Sequence, residues 1–148
     1  MFTHLLLPTD GSKLSDRAVQ RGLELAKAIG ARVTAVHVLP EFPMMADESF
    51  ALPASVELKL RYEKDAKARA AKMLEKVAAR AEAAKVKYEG VAVIGDTPYE
   101  HIIETAKKRK CDLIMMASHG RRGISALLLG SETAKVLTHS KIPVLVVR

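Results

Sequence analysis

Three short stretches of the chain combine residue types that can do chemistry. Thr9-Asp10-Gly11-Ser12 sets a carboxylate between two hydroxyls directly after the apolar run Leu5-Leu6-Leu7 and Pro8. Ala117-Ser118-His119-Gly120 places small residues and an imidazole after the apolar Leu113-Ile114-Met115-Met116. Gly130-Ser131 opens a helical pattern, and the free N–H groups and positive dipole end of a helix start suit a phosphate. Glycine at 120 and 130 would let the backbone approach phosphate oxygens closely. Asp10 cannot help a phosphate, but its carboxylate can accept hydrogen bonds from a ribose hydroxyl. Taken together, the three stretches describe a nucleotide cleft. No G-x-x-x-x-G-K-[ST] occurs, and no G-x-G-x-x-G follows the first apolar run, so neither a P-loop nor a dinucleotide fingerprint is present.

Each feature also has a plainer reading. Asp10 could serve only as the N-cap of the following helix, and Ser131 is placed to cap its own. His119 has no paired acid or nucleophile at a usable spacing, so it reads as a loop-shaping or phosphate-contacting residue, and no catalytic residue is assigned. His37 reads as a hydrogen-bonded structural residue. His4, His101 and His139 are isolated, and no metal-ligand cluster is expected. Cys111 reads as a semi-buried structural thiol, although Lys107, Lys108 and Lys110 stand close enough in sequence to lower its pKa. Met44-Met45, with Phe42 and Phe50, reads either as an adaptable lid over a ligand or as filling under a long loop.

The elements that must position these residues follow from periodicity. Leu14, Ala18, Gly22, Leu25, Ala26 and Ile29 recur at helical spacing, and Gly30 supplies a stop. Arg32 to Val38 is β-branched and reads as a second strand. Pro53 to Ala84 consists of strong helix formers. Val86 to Ile94 reads as a third strand, and Asp96 or Thr97 caps a helix whose first residue is Pro98. Leu113 to Ala117 and Val144 to Val147 are the remaining strands, with a short helix from Ser131 between them. Strands apolar on both faces, separated by helices, require a parallel sheet covered on both sides. The expectation is an α/β fold: one doubly wound domain over residues 1–148, with a five-stranded parallel sheet and helices on both faces. In such a fold ligands bind outside the carboxyl ends of the strands, where strand order reverses.

Composition bounds the rest. The chain has 148 residues, 49% of them hydrophobic, which suits one globular domain with a core of aliphatic residues and Met. The single cysteine excludes an internal disulfide framework. No apolar run approaches a membrane span and no signal pattern opens the sequence, so a cytoplasmic location is expected. The net charge is +7. On the long helix, however, acids are interspersed with bases, which reads as a solvated face with local ion pairs. These charges lack the aromatic interleaving that stacks on single strands, and nucleic acid is not expected as a partner. Arg121 and Arg122 flank the proposed phosphate loop and would attract an anionic ligand.

The chain resembles the universal stress proteins of the UspA type over essentially its whole length. The resemblance rests on Leu7-Pro8-Thr9-Asp10-Gly11-Ser12, His37-Val38, Gly95-Asp96-Thr97-Pro98 and Ile142-Pro143-Val144-Leu145-Val146-Val147. Most of all it rests on Ser118-His119-Gly120-Arg121-Arg122-Gly123, running on through Leu127-Leu128-Leu129-Gly130-Ser131. The nucleotide-binding branch carries G-x-x-G, nine residues, then G-[ST], and Gly120 followed by Gly130-Ser131 fits its later elements. Ala117 stands where that branch has its first glycine, which would matter if the position needed φ > 0. The resemblance implies an adenine nucleotide alpha hydrolase-like fold and ATP as ligand, with Mg²⁺ on its phosphates. It implies that Pro8, Thr9, Asp10 and Val38 line the adenine and ribose pocket. Ala117, Ser118, His119, Gly120, Gly130 and Ser131 would form the phosphate side. It implies a homodimer through the last strand and a stress-response regulator or sensor with protein partners. A member without nucleotide that works through dimerisation is the alternative, and a slow ATP hydrolase or autokinase is the third reading.

Overall fold

The computed structural model describes residues 1–43, 53–120 and 129–148. Strands and helices alternate along it: β1 (His4–Pro8), α1 (Lys13–Ile29), β2 (Arg32–Leu39), α2 (Pro53–Ala83), β3 (Tyr88–Ile94), α3 (Pro98–Lys108), β4 (Leu113–Ala117), α4 (Ser131–His139) and β5 (Val144–Val147). The strands form one sheet in the order β3-β2-β1-β4-β5, and every neighbouring pair is parallel.

Burial explains the arrangement. Every residue of β1 and of β4 is buried, so these strands are apolar on both faces and occupy the middle of the sheet. Because side chains alternate across a strand, Leu5, Leu7, Val33, Leu113 and Met115 share one face. There they meet Val19 and Leu23 of α1 and Leu74 and Val77 of α2. Leu6, Val36, Ile114 and Met116 share the other face, against Ile102, Ile103 and Ala106 of α3 and Val136 of α4. The expected doubly wound α/β fold is the observed one.

Several boundaries differ from expectation for local reasons. Ser12, not Asp10, caps α1, accepting the Ser15 N–H at 3.2 Å. At α4 the cap is Gly130, and Ser131 is the first helical residue. Thr97 is the N-cap of α3 by position, but its hydroxyl turns to Glu100 Oε2 at 3.0 Å instead of closing the helix end. β3 begins at Tyr88 and not at Val86, because the Val86 N–H is still engaged in finishing α2, on the Ala81 carbonyl at 2.9 Å.

The amino end of the sheet is closed by polar side chains. Asp112 accepts the Thr3 N–H at 2.8 Å, the Thr3 hydroxyl at 2.7 Å and the His4 N–H at 2.9 Å. Burial pushes the Asp112 carboxyl up, but these hydrogen bonds outweigh it and hold the group below its ordinary pKa. His4 is buried, with Nε2 at 2.8 Å from the Thr34 hydroxyl, and burial lowers its pKa from 6.5. Cys111 is buried beside them, and burial pushes its thiol up to about 11. The lysines near it in sequence therefore do not activate it.

On α2, one i,i+4 ion pair forms among the described residues, Arg61 with Glu57 at 3.7 Å. A second contact ties the helix to α1, where Arg80 meets Asp16 at 2.6 Å. Phe42 packs edge-on against Tyr62 of α2, with ring centroids 5.4 Å apart. Met44, Met45 and Phe50 lie outside the described residues, as do Arg121 and Arg122.

Candidate functional site

The strand order reverses between β1 and β4, so the crevice beyond their carboxyl ends is where a doubly wound sheet opens for a ligand. The segment after β1 enters that crevice under tight control. Thr9 continues the ladder, its N–H bonded to the Val36 carbonyl at 2.9 Å. The Thr9 carbonyl accepts a hydrogen bond from His37 Nδ1 at 2.7 Å, and since a carbonyl can only accept, Nδ1 carries the proton. His37 is thus the hydrogen-bonded structural residue expected of it. The Ser15 hydroxyl donates to the Ser12 carbonyl at 3.1 Å. With that proton committed, the hydrogen of the 3.2 Å Thr9–Ser15 contact comes from Thr9. Asp10 Oδ1 accepts the Ser12 N–H at 2.9 Å, an Asx turn that fixes the carboxylate above the start of α1.

The segment after β4 is pinned from both sides. The Ser118 N–H donates to the Val147 carbonyl of β5 at 2.8 Å. Its own carbonyl accepts the Gly130 N–H at 2.7 Å, which brings the start of α4 back to the end of β4. Thr133 reinforces the return, its hydroxyl donating to the Ala117 carbonyl at 2.9 Å. A Cβ on Gly130 would stand 3.0 Å from His119 Cα and 3.2 Å from the Ser118 carbonyl oxygen, so a larger residue would need the backbone to give by a few tenths of an ångström. Ser118 Oγ lies 3.2 Å from His119 Nδ1. A hydroxyl therefore does stand beside the imidazole, which spacing in the sequence did not suggest.

The two segments meet at one point. A Cβ on Gly120 would lie 2.3 Å from Asp10 Oδ2, so the carboxylate rests directly over the glycine backbone. Residues about 110 positions apart are brought together with no side chain between them. Pro8 is buried at the end of β1, aligned with Val36. Val38 is half-buried in β2, aligned with Val93 and packed on the α3 side of the sheet. Ser131 is exposed at the first position of α4. Ala117 ends β4 in register with Val147, and among the described non-glycine residues only Lys85 and Lys110 have positive φ. The Ala117 methyl therefore meets no backbone penalty.

Ser15 and Thr133 were not singled out from the sequence. Each is the third residue of its helix, each is buried, and each bonds back to the strand end that precedes the helix. A hydroxyl residue at the third helical position after a strand–loop–helix junction was the available signal. Among the described residues, no group of three or more His, Cys, Asp or Glu could hold a metal ion. No helix among them is long and apolar enough to cross a membrane.

Comparison with known proteins places this geometry in context. A family model described as the universal stress protein family matches residues 1–148. The universal stress protein MJ0531 of Methanocaldococcus jannaschii is 34% identical over 148 residues, covering 100% of this chain and 83% of that one. The solved structure of MJ0577, from the same organism, superposes with a TM-score of 0.83 at 26% identity, over 99% of this chain and 96% of that one. A universal stress protein solved in complex with cAMP matches with a TM-score of 0.70 at 28% identity, over 99% of this chain and 97% of that one.

Proposed function

The chain belongs to the universal stress protein family, and from that premise we propose that it binds an adenine nucleotide, ATP foremost, in the crevice between β1 and β4. The observation that carries the reading is the meeting of Asp10 with Gly120. It sets an acceptor suited to ribose hydroxyls beside a backbone stripped of side chains, at the switch point where nucleotides bind in this class of sheet. In this reading Thr9, Asp10, Pro8 and Val38 bound the nucleoside side. Ala117, Ser118, His119 and Gly120 bound the phosphate side, together with Gly130 and Ser131 at the start of α4. The free N–H groups of that first helical turn supply donors for phosphate oxygens. A cAMP complex among the similar structures supports an adenylate. Mg²⁺ in this reading is carried by phosphate oxygens, since the described residues offer no three-ligand cluster.

The chain then acts as a cytoplasmic stress-response regulator or sensor and needs no catalytic residue to do so. Nucleotide binding would stabilise the segment between Ser118 and Gly130 and change the surface shown to protein partners. Pairing of two copies through β5 belongs to the same reading, because β5 ends the sheet and Leu145 on it is 40% exposed.

Thermal shift with AMP, ADP, ATP and GTP, each with and without Mg²⁺, tests the proposal. A ligand at a hundred times its dissociation constant stabilises the fold by about 2.7 kcal/mol. The expected result is a rise with adenine nucleotides alone, weakened at least tenfold in affinity by Asp10→Ala. No rise with any nucleotide at millimolar concentration overturns it, and leaves the dimer and its partners as the function.

A further inference from the structure

A second concave site lies on the α1–α2 side of the sheet; its lining holds none of the residues that follow β4 and shares Thr9 with the proposed nucleotide crevice. It is a cavity of about 330 Å³ between the first turn of α1 and one face of α2. Arg69, Lys72, Lys76 and Arg80 line it from α2, and Thr9 and Gly11 line it from the segment after β1. These four cations follow one another at helical spacings of three, four and four residues, a row about 16 Å long. Like charges at such spacings repel along the helix. Asp16 is the one carboxylate lining the cavity among the described residues, and Arg80 holds it at 2.6 Å. Asp65 stands one turn before Arg69 and makes no ion pair with it, and none forms to Lys72 or Lys76 among the described residues. Half-buried Met73 and buried Val77 form part of the wall, and a partly apolar wall strengthens the field of the charges around it. The positive end of α1 adds to the same potential.

From these observations we infer that the cavity binds a small linear polyanion, of the chemical class of the oligophosphates, on the row of α2 cations, at a site that adjoins the nucleotide crevice only at Thr9. A single phosphate would meet one or two of the cations, whereas a chain of linked phosphates can follow the row. Lys72 and Lys76 hold its middle, Arg69 its outer end, and the Gly11 backbone borders the other end. The sequence alone hid this site, because the acids that alternate with these bases along the chain fall outside the cavity lining.

The probe is tripolyphosphate, titrated calorimetrically at low ionic strength without divalent metal, with orthophosphate and a single-stranded oligonucleotide as comparison arms. The expected result is one tripolyphosphate per chain, bound at least tenfold tighter than orthophosphate. Lys72→Ala combined with Lys76→Ala should weaken it at least tenfold while leaving the response to AMP unchanged. Asp10→Ala and saturating AMP should leave tripolyphosphate binding intact, which separates this site from the proposed nucleotide crevice. Absence of tripolyphosphate binding overturns the inference, as does equal binding in the double variant. Displacement by AMP overturns it too, by assigning the phosphates to the crevice. An oligonucleotide that binds tighter than tripolyphosphate through the same lysines overturns it in favour of nucleic acid.

Discussion

At the amino end of the sheet, Asp112 gathers the Thr3 N–H, the Thr3 hydroxyl and the His4 N–H, while His4 and Thr34 bond to one another in the interior. At the carboxyl end, Asp10 shapes a turn through the Ser12 N–H and lays its other oxygen over Gly120. Both ends join β1 to β4 across the middle of the sheet, and both do it with an aspartate. The amino end spends its acid on backbone groups of the strand start and becomes a closed clasp. At the carboxyl end, helices return to the strands through Ser15 and Thr133, so buried hydroxyls hold the frame. That leaves carboxylate, glycine and helix start gathered at the mouth of the crevice. One end fastens the fold, and the other is where we place the ligand.

The contrast can be broken first at the clasp. Asp112→Ala removes an acceptor of three hydrogen bonds; bonds to a charged group contribute about 1.5–3 kcal/mol net each, and less where solvent reaches them, as it does at Thr3. A loss of about 2–4 kcal/mol in denaturant unfolding is expected, with nucleotide affinity per folded molecule unchanged. Because the Asp112 pKa is lowered in the fold, its contribution is present above the unfolded carboxylate pKa. It disappears as pH falls through the folded value.

The converse experiment is Gly120→Ala. The new methyl must displace the Asp10 carboxylate, since Oδ2 lies 2.3 Å from where it would sit. Unfolding free energy should change by less than about 1 kcal/mol, while adenine-nucleotide affinity falls about tenfold, equivalent to about 1.4 kcal/mol. A variant that binds as wild type would show that the apposition serves only the fold.

The smallest expected effect sharpens the account of the clasp. His4 has its pKa lowered from 6.5, chiefly by burial, so the unfolded chain binds a proton that the folded one resists. Stability therefore falls as pH drops through 6.5 toward the folded value. A loss of stability is therefore expected between pH 7 and pH 6, smaller than either effect above. His4→Gln should flatten that slope, as read from unfolding midpoints across the same range.

Much of this was legible in the sequence. The alternation of strand and helix followed from apolar runs such as Leu113 to Met116 and from helical spacing in α1. Two of the three chemistry-bearing stretches followed from their place after strands, and Gly130-Ser131 from its place at a helix start. What could not be read is of a different kind. Periodicity is local, so it gives Leu5-Leu6-Leu7 as a buried strand without saying that β4 lies beside it. Asp10 and Gly120 come together only once that order is known. The Gly130 cap also depends on tertiary geometry, since the close approach of the His119 backbone favours a residue without a side chain there. Charge pattern failed on α2 for the same reason: which cations share a cavity depends on where α1 begins.

The hydrogen bond from the Gly130 N–H to the Ser118 carbonyl has an evolutionary reading. It fastens both ends of the intervening segment to one another and to the sheet, so the loop is closed by backbone groups at Ser118 and Gly130. Doubling the length of a segment closed in this way costs only about 0.6 kcal/mol in closure entropy. Insertions, deletions and wholesale replacement between 120 and 129 should therefore be tolerated by the fold. Ser118 and Gly130 form a fixed mount, on which a change in the length of what they hold leaves the end of β4 and the start of α4 in place.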